Sequence, residues 1–360
     1  MQREYGIDYI RILLTFLVIV HHVTIVYGGA GGWYWKEAET TALYLVAFNT
    51  INQSFFMGFF FLLSGYFMRG SIEKKGTARF YKDRIIRLGV PLTVYFFIIS
   101  PFTVAIADTA SSASLFERTI NVITRMEFEP GPLWFVQALL ILTFAFGMIY
   151  RYFPNKVKSF SAVPRFPVIA AALIGIGFVT FIVRLFIPVG QTVAWLQLGY
   201  FPLYILLFIF GILAYPNQIV STLTRNNVIP WVAISIVFIC VLPFAMLYGV
   251  GEGAFEGGVN LNALFYALWE PFSACGIILG LLYVFNKKLN LPTKIGRFLS
   301  PLAYCIYIIH PPVVVAISLL LSDWVEIPLL KILANSGMSI LACILVSYLI
   351  LKIPRVSRVL

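Results

Sequence analysis

Ten apolar stretches of about twenty residues follow one another along this 360-residue chain, and each has the length needed to cross a bilayer's hydrocarbon core. They fall at 9–28, 42–67, 85–107, 132–151, 167–187, 197–214, 229–249, 262–285, 300–321 and 327–350. This pattern predicts an all-α fold: a polytopic transmembrane helical bundle of about ten helices. Composition agrees, with 60% hydrophobic and only 11% charged residues, against about 25% charged in ordinary soluble domains. Mean hydropathy is +0.91.

Charge orients the bundle. With an even number of spans both termini share one side, and the segments on that side carry 21 of the 26 basic residues. The set includes Arg3, Arg11, the seven cations from Arg69 to Arg87, Lys156, Lys158 and the C-terminal Arg355 and Arg358. Eleven of the 15 acids fall to the other side. Basic loops stay cytoplasmic, so both termini are expected in the cytoplasm and the protein in the cytoplasmic (inner) membrane. Topology thus accounts for the net charge of +11 without a nucleic-acid partner. The first apolar run is too long for a cleavable signal. Cys240, Cys275, Cys305 and Cys343 lie inside spans at no metal-like spacing, so no metal is expected. With no soluble domain in view, residues 1–360 read as one integral-membrane domain whose bundle and short loops must do the chemistry.

The first helix carries polar residues that lipid should reject. Arg11 and His22 are eleven positions apart, about three turns plus 20°, so they share one face roughly 16 Å apart along the axis. Asp8 and Thr15 lie on the same stripe. Such a seam must face protein or water, and it serves either packing or chemistry. Ser64-Gly65 interrupts the aromatic end of the second helix and suits close packing or substrate lining. Arg79, Lys82, Arg84 and Arg87 converge where the third helix starts. They anchor topology, or they hold a multi-phosphate anion. His310 lies near mid-membrane before Pro311 and Pro312, which should bend the helix and free carbonyls. Glu270 sits at similar depth one helix earlier, either in a structural pair with an Arg or His or in a proton relay.

Taken in order, Asp8-x2-Arg11-x10-His22, Phe60-x3-Ser64-Gly65-Tyr66-Phe67, Arg84-x2-Arg87-x3-Pro91, Leu133-Trp134-Phe135 and Tyr304-x2-Tyr307-x2-His310-Pro311 resemble the membrane-bound acyltransferase family 3. Arg3-Glu4-Tyr5, Tyr27 and Trp33 look like that family's glucan-biosynthesis branch, whose members succinylate periplasmic glucans. The resemblance implies acyl transfer from cytoplasmic acyl-CoA, as co-substrate, to a hydroxyl of a cell-envelope glycan or a small hydroxylated acceptor. It implies Arg11 and His22 as the catalytic pair and Arg84 and Arg87 as the donor-binding cations; the residues themselves add Lys82, Arg79 and Ser64 as expected donor-site neighbours. Some family members carry an extra extracytoplasmic domain, for which this chain is too short.

The residues suit this chemistry independently. A sugar hydroxyl is a poor nucleophile until a base removes its proton, and histidine titrates near working pH. His22 is therefore expected as general base, with Asp8, His310 and Glu270 in supporting catalytic roles. The absence of a Gly-x-Ser-x-Gly elbow leaves a serine-triad route unsupported. A different class is transport, since intramembrane Arg, Glu and His also suit a proton-coupled transporter or a flippase for an envelope-glycan precursor. No inverted hydropathy repeat supports that alternative. A non-catalytic assembly protein of an envelope-polysaccharide machine is a third class.

Overall fold

The computed structural model describes residues 4–154, 157, 159–249, 254–324 and 327–360. Arg3, Lys156 and Lys158, counted above with the basic side, lie outside the described residues. Helices α1 (Tyr5–Val26) and α2 (Leu43–Lys75) are followed by α3 (Thr77–Ala107) and the short α4 (Leu115–Thr124). Then come α5 (Trp134–Tyr152), α6 (Phe166–Phe186), α7 (Phe201–Ala214) and α8 (Arg225–Tyr248). Helices α9 (Leu261–Lys288), α10 (Lys294–Leu299), α11 (Ala303–Leu320) and α12 (Pro328–Leu351) complete the order. Among the described residues nine helices are long and apolar enough to cross a membrane. The tenth expected span is a shorter apolar helix, Leu198–Ala214, near the lower length limit for crossing. The chain is a polytopic helical membrane protein.

The basic stretch after the second span, expected outside the membrane, proves to be helical. Helix α2 continues to Lys75, and at 33 residues it is about 50 Å long, more than the hydrocarbon requires. An i,i+4 pair, Arg69 to Glu73 at 2.9 Å, supports the extension. Gly76 ends it with φ +74°, a left-handed conformation that glycine adopts without strain, and α3 begins at once.

Helix α3 holds two π-helical turns, Ile85–Gly89 and Tyr95–Ile99, before Pro91 and Pro101. Proline has no N–H to give the carbonyl four residues back. The Arg87 carbonyl, so deprived by Pro91, accepts the Tyr304 hydroxyl at 3.0 Å.

The contacts divide the chain into two compact units. One comprises Met1–Ile10, Ile51–Tyr81 and Ile141–Pro292. In it α2 and α7 pack backbone to backbone: a Cβ on Gly65 would lie 2.1 Å from the Phe208 carbonyl oxygen, and one on Gly211 would lie 2.1 Å from that of Leu62. Leu242, Tyr266 and Trp269 form a buried hydrophobic core.

The other unit comprises Arg11–Thr50, Lys82–Leu140 and Thr293–Leu360. Here the loop after α1 folds back on its own helix. Glu37 and Ala38 donate their backbone N–H groups to the Val26 carbonyl at 2.9 and 3.1 Å. The Lys331 ammonium of α12 pairs with the Glu37 carboxylate, and the Asn335 amide donates to the Tyr27 hydroxyl at 3.1 Å. These anchors hold Trp33 and Tyr34 over the end of α1.

Candidate active site

His22 and His310, 288 positions apart, meet in the second unit. His310 Nδ1 lies 2.7 Å from the Tyr307 carbonyl oxygen, and His310 Nε2 lies 3.1 Å from His22 Nδ1. The Tyr307 carbonyl receives no helical N–H from Pro311, four residues on, and takes His310 instead. A carbonyl only accepts, so His310 Nδ1 carries the proton and, in the neutral ring, Nε2 is bare. His22 Nδ1 faces that bare nitrogen as the protonated partner, and the His22 ring also has the Val18 carbonyl, one turn back, as an acceptor. That leaves His22 Nε2 as the nitrogen with an open lone pair.

The pair sits in an aromatic enclosure. The Trp33 ring stacks on His22 with centroids 4.1 Å apart and an interplanar angle of 19°, and lies 6.0 Å from His310. Tyr307 packs at 5.8 Å from His310, and its hydroxyl donates to the Pro132 carbonyl. His310 is fully buried and His22 half-buried.

His21 faces elsewhere, as its 100° offset requires. It is buried, and its Nδ1 accepts from the Asn49 amide at 3.1 Å. The same amide donates to the His21 carbonyl at 3.1 Å, and the Thr24 hydroxyl donates there at 2.7 Å. His21 therefore ties α1 to α2 and is a structural residue. Thr15 spends its hydroxyl on the Arg11 carbonyl at 2.8 Å.

Beside the histidines, Tyr34, Tyr95 and Glu129 form a chain that the sequence reading missed. Tyr34 is hydrogen-bonded to the Glu129 carboxylate, and its oxygen lies 2.9 Å from that of Tyr95. A carboxylate accepts, so Tyr34 donates to Glu129 and accepts from the Tyr95 hydroxyl in turn. Burial pushes the Glu129 carboxyl above the usual carboxylate range, with the Tyr34 bond opposing. Burial and the nearby Glu129 charge push the Tyr34 hydroxyl upward. Gly131, at φ +44°, folds the chain against both tyrosines; a Cβ there would lie 2.1 Å from the Tyr34 oxygen. The one signal in the sequence was the rigid Glu129-Pro130-Gly131-Pro132 run ahead of Leu133-Trp134-Phe135.

At the start of α3, Arg84 is half-buried, while Arg79, Lys82 and Arg87 are exposed. The charges acting on Arg84 are Arg87 and Arg11, of like sign, and Asp83, of opposite sign. Arg11 thus belongs electrostatically with the α3 cations. Asp8 is half-buried in the first turn of α1, where a negative charge suits the helix dipole. Ser64 is half-buried, and the close α2–α7 approach at Gly65 explains the small pair as packing.

Glu270 has a partner of its own in the first unit. The Arg184 guanidinium donates to its carboxylate at 2.5 Å, and both side chains are buried. Arg184 Nε also donates to the Gly199 carbonyl at 3.0 Å, and its guanidinium lies 5.1 Å from the Tyr200 ring and 4.7 Å from the Tyr266 ring. Of the two readings the sequence left open for Glu270, this is the buried pair with an arginine. No group of three or more potential metal ligands occurs among the described residues.

Long apolar helices define a multi-pass membrane protein, and within it two imidazoles meet in an aromatic enclosure. The acyltransferase 3 family model, described as an acyltransferase domain, matches residues 4–351. The chain belongs to that family and is an acyltransferase. It is similar to glucans biosynthesis protein C of Escherichia coli O81 (strain ED1a), 25% identical over 86% of this chain and 82% of the relative. It is also similar to the protein of that name from Escherichia coli strain K12, 28% identical over 44% of this chain and 42% of the relative. No solved structure matches.

Proposed function

We propose that this acyltransferase moves an acetyl, succinyl or similar acyl group from cytoplasmic acyl-CoA to a hydroxyl of a cell-envelope glycan or related acceptor, with His22 as general base. The observation that carries the reading is the hydrogen-bonded order Tyr307 carbonyl, His310, His22, which leaves His22 Nε2 open. The acceptor hydroxyl gives its proton to Nε2 while its oxygen attacks the thioester carbonyl. CoA thiolate leaves and recovers that proton, so the enzyme returns unchanged. His310 is a positioning residue, which fixes the His22 tautomer and shares its transient charge. The step needs no covalent enzyme intermediate.

The donor is held by phosphate contacts. Arg84 and Arg87, assisted by Arg11, Lys82 and Arg79, supply cations matched to CoA phosphates, and Arg11 joins them as a donor-site residue. Asp8 stands about one turn before Arg11 on α1, and Glu270 supports the fold around Arg184. The glycan acceptor is favoured by the name of the relatives, glucans biosynthesis protein C. The excess of basic residues on the side of both termini supports a cytoplasmic orientation for that side and the cytoplasmic membrane as the location, with both compact units serving one acyltransferase domain.

The test is thiol release from acetyl-CoA and succinyl-CoA by purified protein in detergent, with and without a glucan. Acceptor-dependent release that His22→Ala abolishes supports the reading. Unaltered turnover by His22→Ala refutes His22 as base.

A further inference from the structure

Three polar groups lie together beside His22 with hydrogen-bonding capacity to spare. The Trp33 indole N–H is buried and bonds to nothing among the described residues. The Glu129 carboxylate accepts from Tyr34, which leaves its other oxygen as an acceptor. The Tyr95 hydroxyl, donating to Tyr34, keeps its own lone pairs as acceptors. Trp33 and Tyr34 pack edge to face at 5.3 Å, and Trp33 in turn stacks on His22, so the cluster is continuous with the proposed base.

We propose that Trp33, Tyr34 and Glu129 form the acceptor subsite of the enzyme, which holds a neutral polyhydroxylated sugar by its hydroxyl groups next to His22. The assignment rests on His22 being the base, because only then must the acceptor hydroxyl reach this end of α1.

The chemistry of the set selects the ligand. A carboxylate oxygen takes a sugar O–H, and an indole N–H gives to a sugar oxygen. Aromatic walls with a few placed polar groups are the usual make-up of a small-molecule site. The cluster contains no cation, and Glu129 opposes anionic ligands, so the CoA phosphates and a dicarboxylic acyl group are kept from it. The cations Arg11, Arg84 and Arg87 lie eleven residues away along α1 and at the start of α3. Donor and acceptor are thereby sorted by charge. Gly131 is needed because any side chain there would displace the Tyr34 hydroxyl that orients Glu129.

A site built to hydrogen-bond hydroxyls penalises loss of a partner strongly. Glu129→Gln and Tyr34→Phe should each raise KM for a neutral glucose trimer at least tenfold, while KM for acetyl-CoA moves less than twofold. In a His22→Ala background, calorimetric titration with the same trimer should show the same tenfold weakening for each variant, with no turnover involved. Tyr34→Phe keeps the ring and its packing, so it reports the hydroxyl even where Glu129→Gln disturbs folding. Trimer binding that neither variant weakens overturns the subsite, as does a rise in both KM values together. Turnover that survives His22→Ala while the binding losses persist overturns the base assignment and leaves the sugar subsite standing.

Discussion

At the scale of residues, two adjacent histidines do different work, and their partners say which is which. His22 bonds to another imidazole and retains a bare Nε2, whereas His21 is locked to Asn49. His22→Ala is expected to lower the rate of acyl transfer by about 10²–10⁴, the usual worth of a general base, with expression and detergent extraction near normal. His21→Ala leaves the buried Asn49 amide short of a partner and should cost about 1–3 kcal/mol of stability. Thermal unfolding in detergent checks this, and the surviving folded protein should turn over. The reverse pattern, with His21→Ala inactive but stable, would exchange the two roles. Helical geometry alone put Arg11 and His22 on one face and His21 off it. It could not show Asn49, 28 residues on, or His310, 288 residues on, because tertiary packing chooses those partners. For the same reason Tyr34, Tyr95 and Glu129 read in sequence as ordinary loop and helix residues.

At the scale of elements, proline acts by what it withholds. Pro91 and Pro311 each leave a carbonyl four residues back without its helical donor. Tyr304 takes the first and His310 takes the second. That carbonyls would be freed was legible from His310-Pro311-Pro312; which side chains would claim them was not. Pro311→Ala returns an N–H that competes for the Tyr307 carbonyl. The substitution should favour the helix yet lower kcat roughly tenfold, the worth of one hydrogen bond. An unchanged kcat with a stiffer helix would show that His310 needs no such anchor. The start of α3 yields a second expectation. Arg84→Ala with Arg87→Ala should raise the acyl-CoA KM about 10- to 100-fold, as loss of charge-assisted bonds does, and raise the acceptor KM far less. Arg87→Lys should recover part of the loss by keeping the charge without the fork. A donor KM that stays put would reduce these residues to signals of topology.

At the scale of the whole molecule, apolar length gave the spans away. Nine of the ten expected segments are long apolar helices and the tenth is a shorter one. The division into two compact units interleaved along the sequence left no trace in hydropathy, since both units are built from equally apolar helices. Each unit carries its own buried polar centre: the histidine pair in one, Arg184 with Glu270 in the other. The second pair exposes the molecule's stability to a single substitution. Removing one partner of a buried ion pair typically costs about 3–5 kcal/mol, because the remaining charge stays buried and uncompensated. Glu270→Gln should therefore lower the thermal unfolding midpoint in detergent markedly, and activity should fall with it. Replacing both partners by apolar residues of similar size, Arg184→Met with Glu270→Leu, removes the stranded charge and should unfold at a higher temperature than Glu270→Gln alone. A Glu270→Gln protein that melts like wild type but has lost acyl transfer would instead give that carboxylate a chemical role, and Arg184 would then be the group that holds it ionised for the reaction.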